Sequence, residues 1–337
     1  MARTLHVQAL DWDPRLNEPM DGASEGGALE GADVEVAADT LYRAEKAIGN
    51  VTYDAAELEF YRYAGGQHRF DLAVQFNPGR ARRPFSPKQC PVCLATIRKM
   101  GAQHYVCIGI NGRPYVMLAN IFPVMPGALV IVSAEHLSQD LNEYPERARE
   151  IVLRKCFSDM VALAKALPDH VVIFNGRLAG ASLAHLHFQA FRLPEGYGPL
   201  ALQRASGNGE VRWIGFDQDY PLAVHCANGA ADGVIADSVE VASVWRTVQG
   251  AAASANVIAI AAASGVSLYF VARNGLFRVG LLGAAHGAIE AAGLAICSSV
   301  EDRARIRSGE VTFELLWRNL SFVRPAAAAA WRERCEG

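Results

Sequence analysis

Residues 175–191 read NGRLAGASLAHLHFQAF. Within this stretch His185, His187 and Gln189 alternate in a β-prone run, so an extended strand places all three side chains on one face. Just upstream, Ala179-Gly180-Ala181-Ser182 is a small-residue approach in which backbone N–H groups can come close to an anion, with a hydroxyl beside them. Two imidazoles, an amide and this cradle suit a phosphate, and Asn175 flanks the group. Taken alone, His-x-His is also what two structural histidines on a strand look like.

At this point the sequence resembles the histidine-triad superfamily on its nucleotidyltransferase branch: galactose-1-phosphate uridylyltransferases, diadenosine tetraphosphate phosphorylases and plant GDP-hexose phosphorylases. In that branch a Gln stands where the hydrolases of the superfamily carry a third His, and HLHFQAF is similar to the GDP-hexose phosphorylase version. The resemblance covers residues 70–195 well and 250–325 faintly. An uncharacterised bacterial family has the same order: QFNP-x-R, Cys-x-x-Cys, Asn-x-Phe-Pro, His, then His-x-His-x-Gln.

The 337 residues can bury a large core in one or two domains. A net charge of −3 gives no electrostatic reason to expect nucleic acid as a partner. The beginning of the sequence has no secretory pattern, and Ala251–Ala272, though uncharged, reads as two buried strands with a turn. A cytoplasmic protein without membrane contact is expected. Seven cysteines without regular spacing do not make a disulfide framework.

Cys90-Pro91-Val92-Cys93 can fill two corners of a tetrahedral zinc site. A redox pair would want a strand before it and a helix opening at the first Cys, whereas here the approach is a Pro/Arg/Lys loop. The resemblance supplies two further ligands, His136 and His185, and makes the zinc structural; either His can also be read as an ordinary polar residue. In Asn77-Pro78-Gly79-Arg80-Ala81-Arg82-Arg83-Pro84 the arginines fit a solvated face equally, but the resemblance places Arg80 and Arg83 near substrate phosphates, with Asn77 beside them. It likewise lays Asn120 and Phe122 along a nucleotide pocket, where the plain reading is a proline-shaped connection.

The resemblance makes His187 the nucleophile of a covalent nucleotidyl-histidine intermediate, its tautomer fixed by a backbone carbonyl. Gln189 and Ser182 stabilise the phosphate, and Asn175, Gly180 and Ala181 line the cradle. The implied activity is that of a nucleotidyltransferase or phosphorylase on a nucleoside-diphosphate sugar, with phosphate or a sugar 1-phosphate as acceptor. The alternatives are a dinucleoside polyphosphate phosphorylase or hydrolase, and a zinc-stabilised nucleotide-binding protein without turnover. Relatives are often dimers, and the 51% apolar composition permits a homodimer.

The expected fold is α+β: a HIT-like antiparallel sheet with flanking helices, duplicated with a degenerate second half. The expected organisation is a flexible segment 1–36, a catalytic half with the zinc site 37–205, a degenerate half 206–325 and a tail 326–337. Periodicity predicts helices over 37–49, 145–167, 231–250 and 301–322. It predicts strands over 57–63, 70–76, 105–110, 115–119, 128–133, 170–174, 255–261 and 267–273.

Overall fold

In the computed structural model, the described residues are 7–9, 31–52, 57–66, 70–82, 90–192, 212–216, 220–262, 265–275, 282 and 286–337. The segment HVVIFN, β-branched and aromatic and buried at every position, is strand β7 (His170–Asn175). A strand apolar on both sides belongs inside a sheet covered on both faces. The strands before it are β1 (Val7–Ala9), β2 (Glu59–Tyr63), β3 (Leu72–Phe76), β4 (Val106–Ile110), β5 (Arg113–Ala119) and β6 (Leu129–Ser133). Those after it are β8 (His187–Arg192), β9 (Arg212–Ile214), β10 (Val224–Gly229), β11 (Ser254–Ala262), β12 (Gly265–Arg273) and β13 (Leu294–Cys297). Ten of them form one sheet in the order β1-β4-β5-β6-β8-β7-β11-β12-β10-β9, and a second sheet runs β13-β3-β2.

Asn111-Gly112 makes the β4–β5 hairpin, both residues at positive φ (51° and 75°) as a two-residue turn of this hand requires. Ala251–Ala272 is the β11–β12 hairpin, as its two β-branched clusters predict. Among the described residues no helix is long and apolar enough to cross a membrane.

The helices are α1 (Gly31–Ala47), α2 (Leu94–Ile97), α3 (Glu146–Ala166), α4 (Ala231–Gln249), α5 (Ala288–Ala291), α6 (Val300–Arg307), α7 (Phe313–Ser321) and α8 (Ala328–Glu336). The main sheet repeats itself. β6-α3-β7-β8 lie side by side as β7-β8-β6, and β10-α4-β11-β12 lie as β11-β12-β10. The two units meet where β7 pairs antiparallel with β11, Ile173 opposite Ile258. Phe174, Phe188, Val257 and Phe270 face α3 and α4 in one core. Ile173, Ile258, Tyr269 and Val271 face the small sheet and α7 in another.

Three expectations need correction. Residues 31–36, read as part of the connector, are the first turns of α1, because Val34, Ala38 and Leu41 form a buried stripe at helical spacing. The helix expected over 301–322 is two helices: the chain turns at Gly309 (φ 79°) and restarts at Thr312, whose hydroxyl accepts from Leu315 N at 3.2 Å. Residues 326–337, read as a tail, carry α8, where Trp331 is fully buried and donates to the Val241 carbonyl at 3.0 Å. Strands β1, within the segment read as flexible, β9, β10 and β13 were not foreseen; β13 lies parallel to β3, a pairing local periodicity does not show.

His225 on β10 is 2% exposed and packs against Trp213, 4.8 Å between ring centroids. Burial lowers its pKa to about 4. The unfolded chain therefore takes up a proton below about pH 6.5 that the folded chain refuses, so this contribution to stability is full above that pH and is lost as pH falls toward 4. We expect His225→Phe to flatten the fall in urea midpoint between pH 7 and 4.5, by on the order of 2 kcal/mol at the acid end. Equal slopes for the two proteins would refute it.

Candidate functional site

Cys93 begins α2 as its N-cap, its carbonyl accepting from Thr96 N at 2.8 Å and Ile97 N at 3.0 Å, while Thr96 Oγ1 donates to the Cys90 carbonyl at 3.2 Å. Val92 and Ile97 press this loop onto Val116, Leu118 and Val132 of β5 and β6. The cysteines thereby face His136, just past β6, and His185, just ahead of β8. The ligating atoms of Cys90, Cys93, His136 and His185 lie within 4.8 Å of one another. Cys93 Sγ is 3.0 Å from His136 Nδ1 and 3.9 Å from His185 Nδ1, and Cys90 Sγ is 3.6 Å from His185 Nδ1. A tetrahedral ion bound by sulfur and nitrogen has donor–donor edges of about 3.5 Å.

The donor chemistry also fits a cation. His185 Nε2 donates to the Ser133 carbonyl at 2.7 Å, which leaves the lone pair on Nδ1, the atom facing the sulfurs. Burial lowers the His185 pKa against the raising effect of that carbonyl, so the ring is neutral as a ligand must be. Burial beside Cys90 pushes the Cys93 thiol up to about 11; two adjacent thiolates at this place need a positive ion. These four residues can hold a metal ion.

His187 follows two residues on and is 3% exposed. Its Nδ1 lies 2.8 Å from the His185 carbonyl oxygen, which can only accept, so Nδ1 carries the proton and Nε2 the lone pair. The backbone of His187 is held from behind. Gln139, fully buried, accepts from His187 N at 2.7 Å and donates to the Asn175 carbonyl at 2.7 Å and the His187 carbonyl at 3.4 Å. Gln189 is half-buried, and Ser182 is exposed.

The small-residue loop packs against the second half of the chain. Gly180 has φ 94°, and a Cβ there would lie 2.8 Å from Gly287 Cα and from the His286 carbonyl. Ala179 N and Ala181 N both donate to the Gly176 carbonyl, at 2.9 and 3.3 Å. Asn175 Oδ1 accepts from Ala288 N and Asn256 Nδ2, both at 2.8 Å, and Asn256 also donates to the Ala179 carbonyl at 2.6 Å. Arg273, 1% exposed, donates to Asn256 Oδ1 and, at 2.9 Å, to the His286 carbonyl.

The other expected binding residues form a second group. Asn77 Nδ2 donates to the Pro123 carbonyl at 3.0 Å, Arg80 Nη1 to the Phe122 carbonyl at 3.1 Å, and Asn120 Oδ1 accepts from Phe122 N at 3.0 Å. Asn77 and Asn120 thus shape the Asn-x-Phe-Pro connection, and Arg80 is tethered to it. α5 joins the groups. Burial raises the pKa of Glu290, while the backbone at Glu290 and Gly287 and the charges of Arg80 and Arg273 oppose this. Gly287 N donates to Glu290 at 2.9 Å, and Gly287 is the residue on which Gly180 sits. Arg83 lies outside the described residues.

Sequence reading did not single out Gln139, Asn256 or Arg273. Gln139 stands three residues after His136, and its role depends on chain brought back by β8. We expect Gln139→Leu to strand a buried N–H and two carbonyls, at a cost of about 2–4 kcal/mol in chemical denaturation. A loss below about 1 kcal/mol would show that these bonds do not hold β8.

A family model described as "Domain of unknown function (DUF4922)" matches residues 66–192. A search of curated proteins finds no match. Among solved structures, yeast Ap4A phosphorylase Apa2 in complex with AMP is similar at TM-score 0.61 and 17% identity, over 88% of this chain and 98% of that one. The same yeast enzyme in complex with Ap4A gives TM-score 0.60 and 17% identity, over 87% and 97%. This likeness establishes the fold: the HIT-like α+β architecture that the residues around His187 imply.

Proposed function

We propose that this chain is a nucleotidyltransferase of the HIT-like superfamily, acting on a nucleoside-diphosphate sugar with phosphate or a sugar 1-phosphate as acceptor. The observation that carries the reading is the bond from His187 Nδ1 to the His185 carbonyl. It commits Nδ1 to the proton, so that the neutral ring has its lone pair on Nε2, the form needed to attack a phosphorus atom already surrounded by negative charge.

Nε2 attacks the α-phosphorus, an Nε2–P bond forms, and the bond from that phosphorus to the bridging oxygen breaks. The leaving group is a sugar 1-phosphate. The ring keeps its Nδ1 proton and carries a positive charge that the His185 carbonyl stabilises. Gln189 donates to a non-bridging oxygen as charge builds, and Ser182 with the loop 175–182 receives the phosphates. Arg80 neutralises charge from the Asn-x-Phe-Pro side, with Arg83 as a further candidate and Asn77, Asn120 and Phe122 as the surrounding wall. In the second step an acceptor phosphate oxygen attacks the same phosphorus and Nε2 leaves, giving a nucleoside diphosphate when the acceptor is orthophosphate.

The metal we assign to Cys90, Cys93, His136 and His185 is zinc, since two thiolates and two imidazoles in a closed tetrahedral arrangement favour it over harder ions. When bound it supplies a structural clip on the strand that carries His187. The purified protein should contain about one zinc per chain. Cys93→Ser should lose the metal and melt earlier, and a metal-free protein with unchanged melting would exclude a structural site.

The yeast enzyme whose fold this chain shares is an Ap4A phosphorylase, which favours a dinucleoside polyphosphate as the second reading. Incubation of a nucleotide-sugar panel and Ap4A with orthophosphate, read for released nucleoside diphosphate, separates the two. With an α-labelled substrate, label should remain on denatured wild-type protein and be absent from His187→Ala, which still binds nucleotide but turns over at least 1,000-fold more slowly. Wild-type turnover by that variant would end the mechanism.

A further inference from the structure

On the helix face of the sheet, opposite the side chain of His187, α3 and α4 leave a narrow cleft of about 60 Å³, open to solvent. Its floor is apolar, with Leu153, Phe157, Trp245 and Phe270. Its rim carries Arg149, Arg177 and Arg246, while the one carboxylate among the lining residues is Asp140. Arg149 Nη2 donates to the Asn142 carbonyl at 3.4 Å and Arg246 Nε to Asn142 Oδ1 at 3.0 Å. Asn142 is itself fixed by donating to the Ala253 carbonyl at 2.7 Å. The two guanidiniums are thus held side by side on Asn142, Arg149 on its main-chain carbonyl and Arg246 on its side chain, with the charges of Glu146 and Asp140 also acting on Arg246. Arg149 Nε is shielded from water and has no hydrogen-bond partner among the described residues. Burial and the neighbouring Arg149 weaken the hold of Arg246 on its proton, and the charges of Glu146 and Asp140 oppose this. Nothing in the mechanism uses these groups.

Two clustered cations at the lip of an apolar floor match a ligand with an apolar body and an anionic end. We propose that this cleft is an effector site for an amphiphilic anion, its apolar end over Leu153 and Ala255 and its carboxylate or phosphate oxygens on Arg149 and Arg246. The back of the cleft is Gln139, which clamps the main chain of His187 and Asn175. Occupancy therefore bears on the placement of the nucleophile, a coupling that rests on the proposed transfer reaction.

Calorimetric titration of the full chain with phenylacetate, phenyl phosphate and acetate tests the site. Both aromatic anions should bind, acetate at least ten-fold more weakly, and the tighter of the two aromatic anions tells whether the cleft prefers a carboxylate or a phosphate ester. Arg149→Met and Arg246→Met should each weaken phenylacetate at least ten-fold, and His187→Ala should leave its affinity unchanged. Ala242→Leu, which narrows the floor with every arginine in place, should weaken it too. Absence of binding, indifference to these substitutions, or loss of binding in His187→Ala would overturn the site. Saturating phenylacetate should change the rate of covalent labelling at least three-fold in the wild type and not in Arg149→Met; an unchanged wild-type rate overturns the coupling. A wild type that forms no labelled protein counts against the transfer reaction, and the calorimetry still decides the cleft.

Discussion

The antiparallel pairing of β7 with β11 is the contact on which the site depends. It joins two β-α-β-β units into one sheet, and at its end Asn175 stands opposite Asn256. Main-chain ladder bonds bring these asparagines into register, and their side chains then bond each other inside the core. An amide buried on both sides of such a seam must be fully paired, because each unmade bond leaves a desolvated group with no partner. The Asn175 side chain meets this with Ala288 and Asn256, the Asn256 side chain with Asn175, Ala179 and Arg273. The loop between β7 and β8 is consequently held by residues 77 to 113 positions away in the chain.

This explains how a half without its own His-x-His serves the reaction proposed for the other. It supplies Asn256, Arg273 and the Gly287 backbone, which fix the loop Gly176–Ser182 from behind. The strand that carries His187 is fixed at two further points, by Gln139 through its backbone and by the Cys–His cluster through His185. A strand anchored on both sides of one residue holds that side chain to a narrow range of positions, which is what attack on phosphorus needs.

Much of the architecture was legible because burial writes itself into local pattern. HVVIFN could only be an interior strand, and the apolar spacing of Ile151–Leu167 could only be a helix packed on one side. The Cys-x-x-Cys pair announced two metal ligands through its donor chemistry, and the family resemblance supplied His136 and His185. Helix α8 and the first turns of α1 were missed for the converse reason. Their sequences are rich in Ala and charge, and only the partners they find, Val241 for Trp331 and the main core for Val34, make them ordered parts of the fold. The break at Gly309 was missed because a helical stripe on either side of it masked a Gly–Thr stop and start.

The sequence by itself determined the α+β pattern, the alternation that puts His185, His187 and Gln189 on one face, and the residue types able to bind a metal. These follow from periodicity and side-chain chemistry, which are local. Only the tertiary structure decided that Asn175, Asn120 and Asn77 spend hydrogen bonds on shaping the fold, that Gln139 and Arg273 belong to the support of the site, and that a cationic cleft backs onto Gln139. Each of those facts depends on which distant groups share a desolvated space, and the free energy of a buried polar atom is set by such neighbours, which no window of sequence contains.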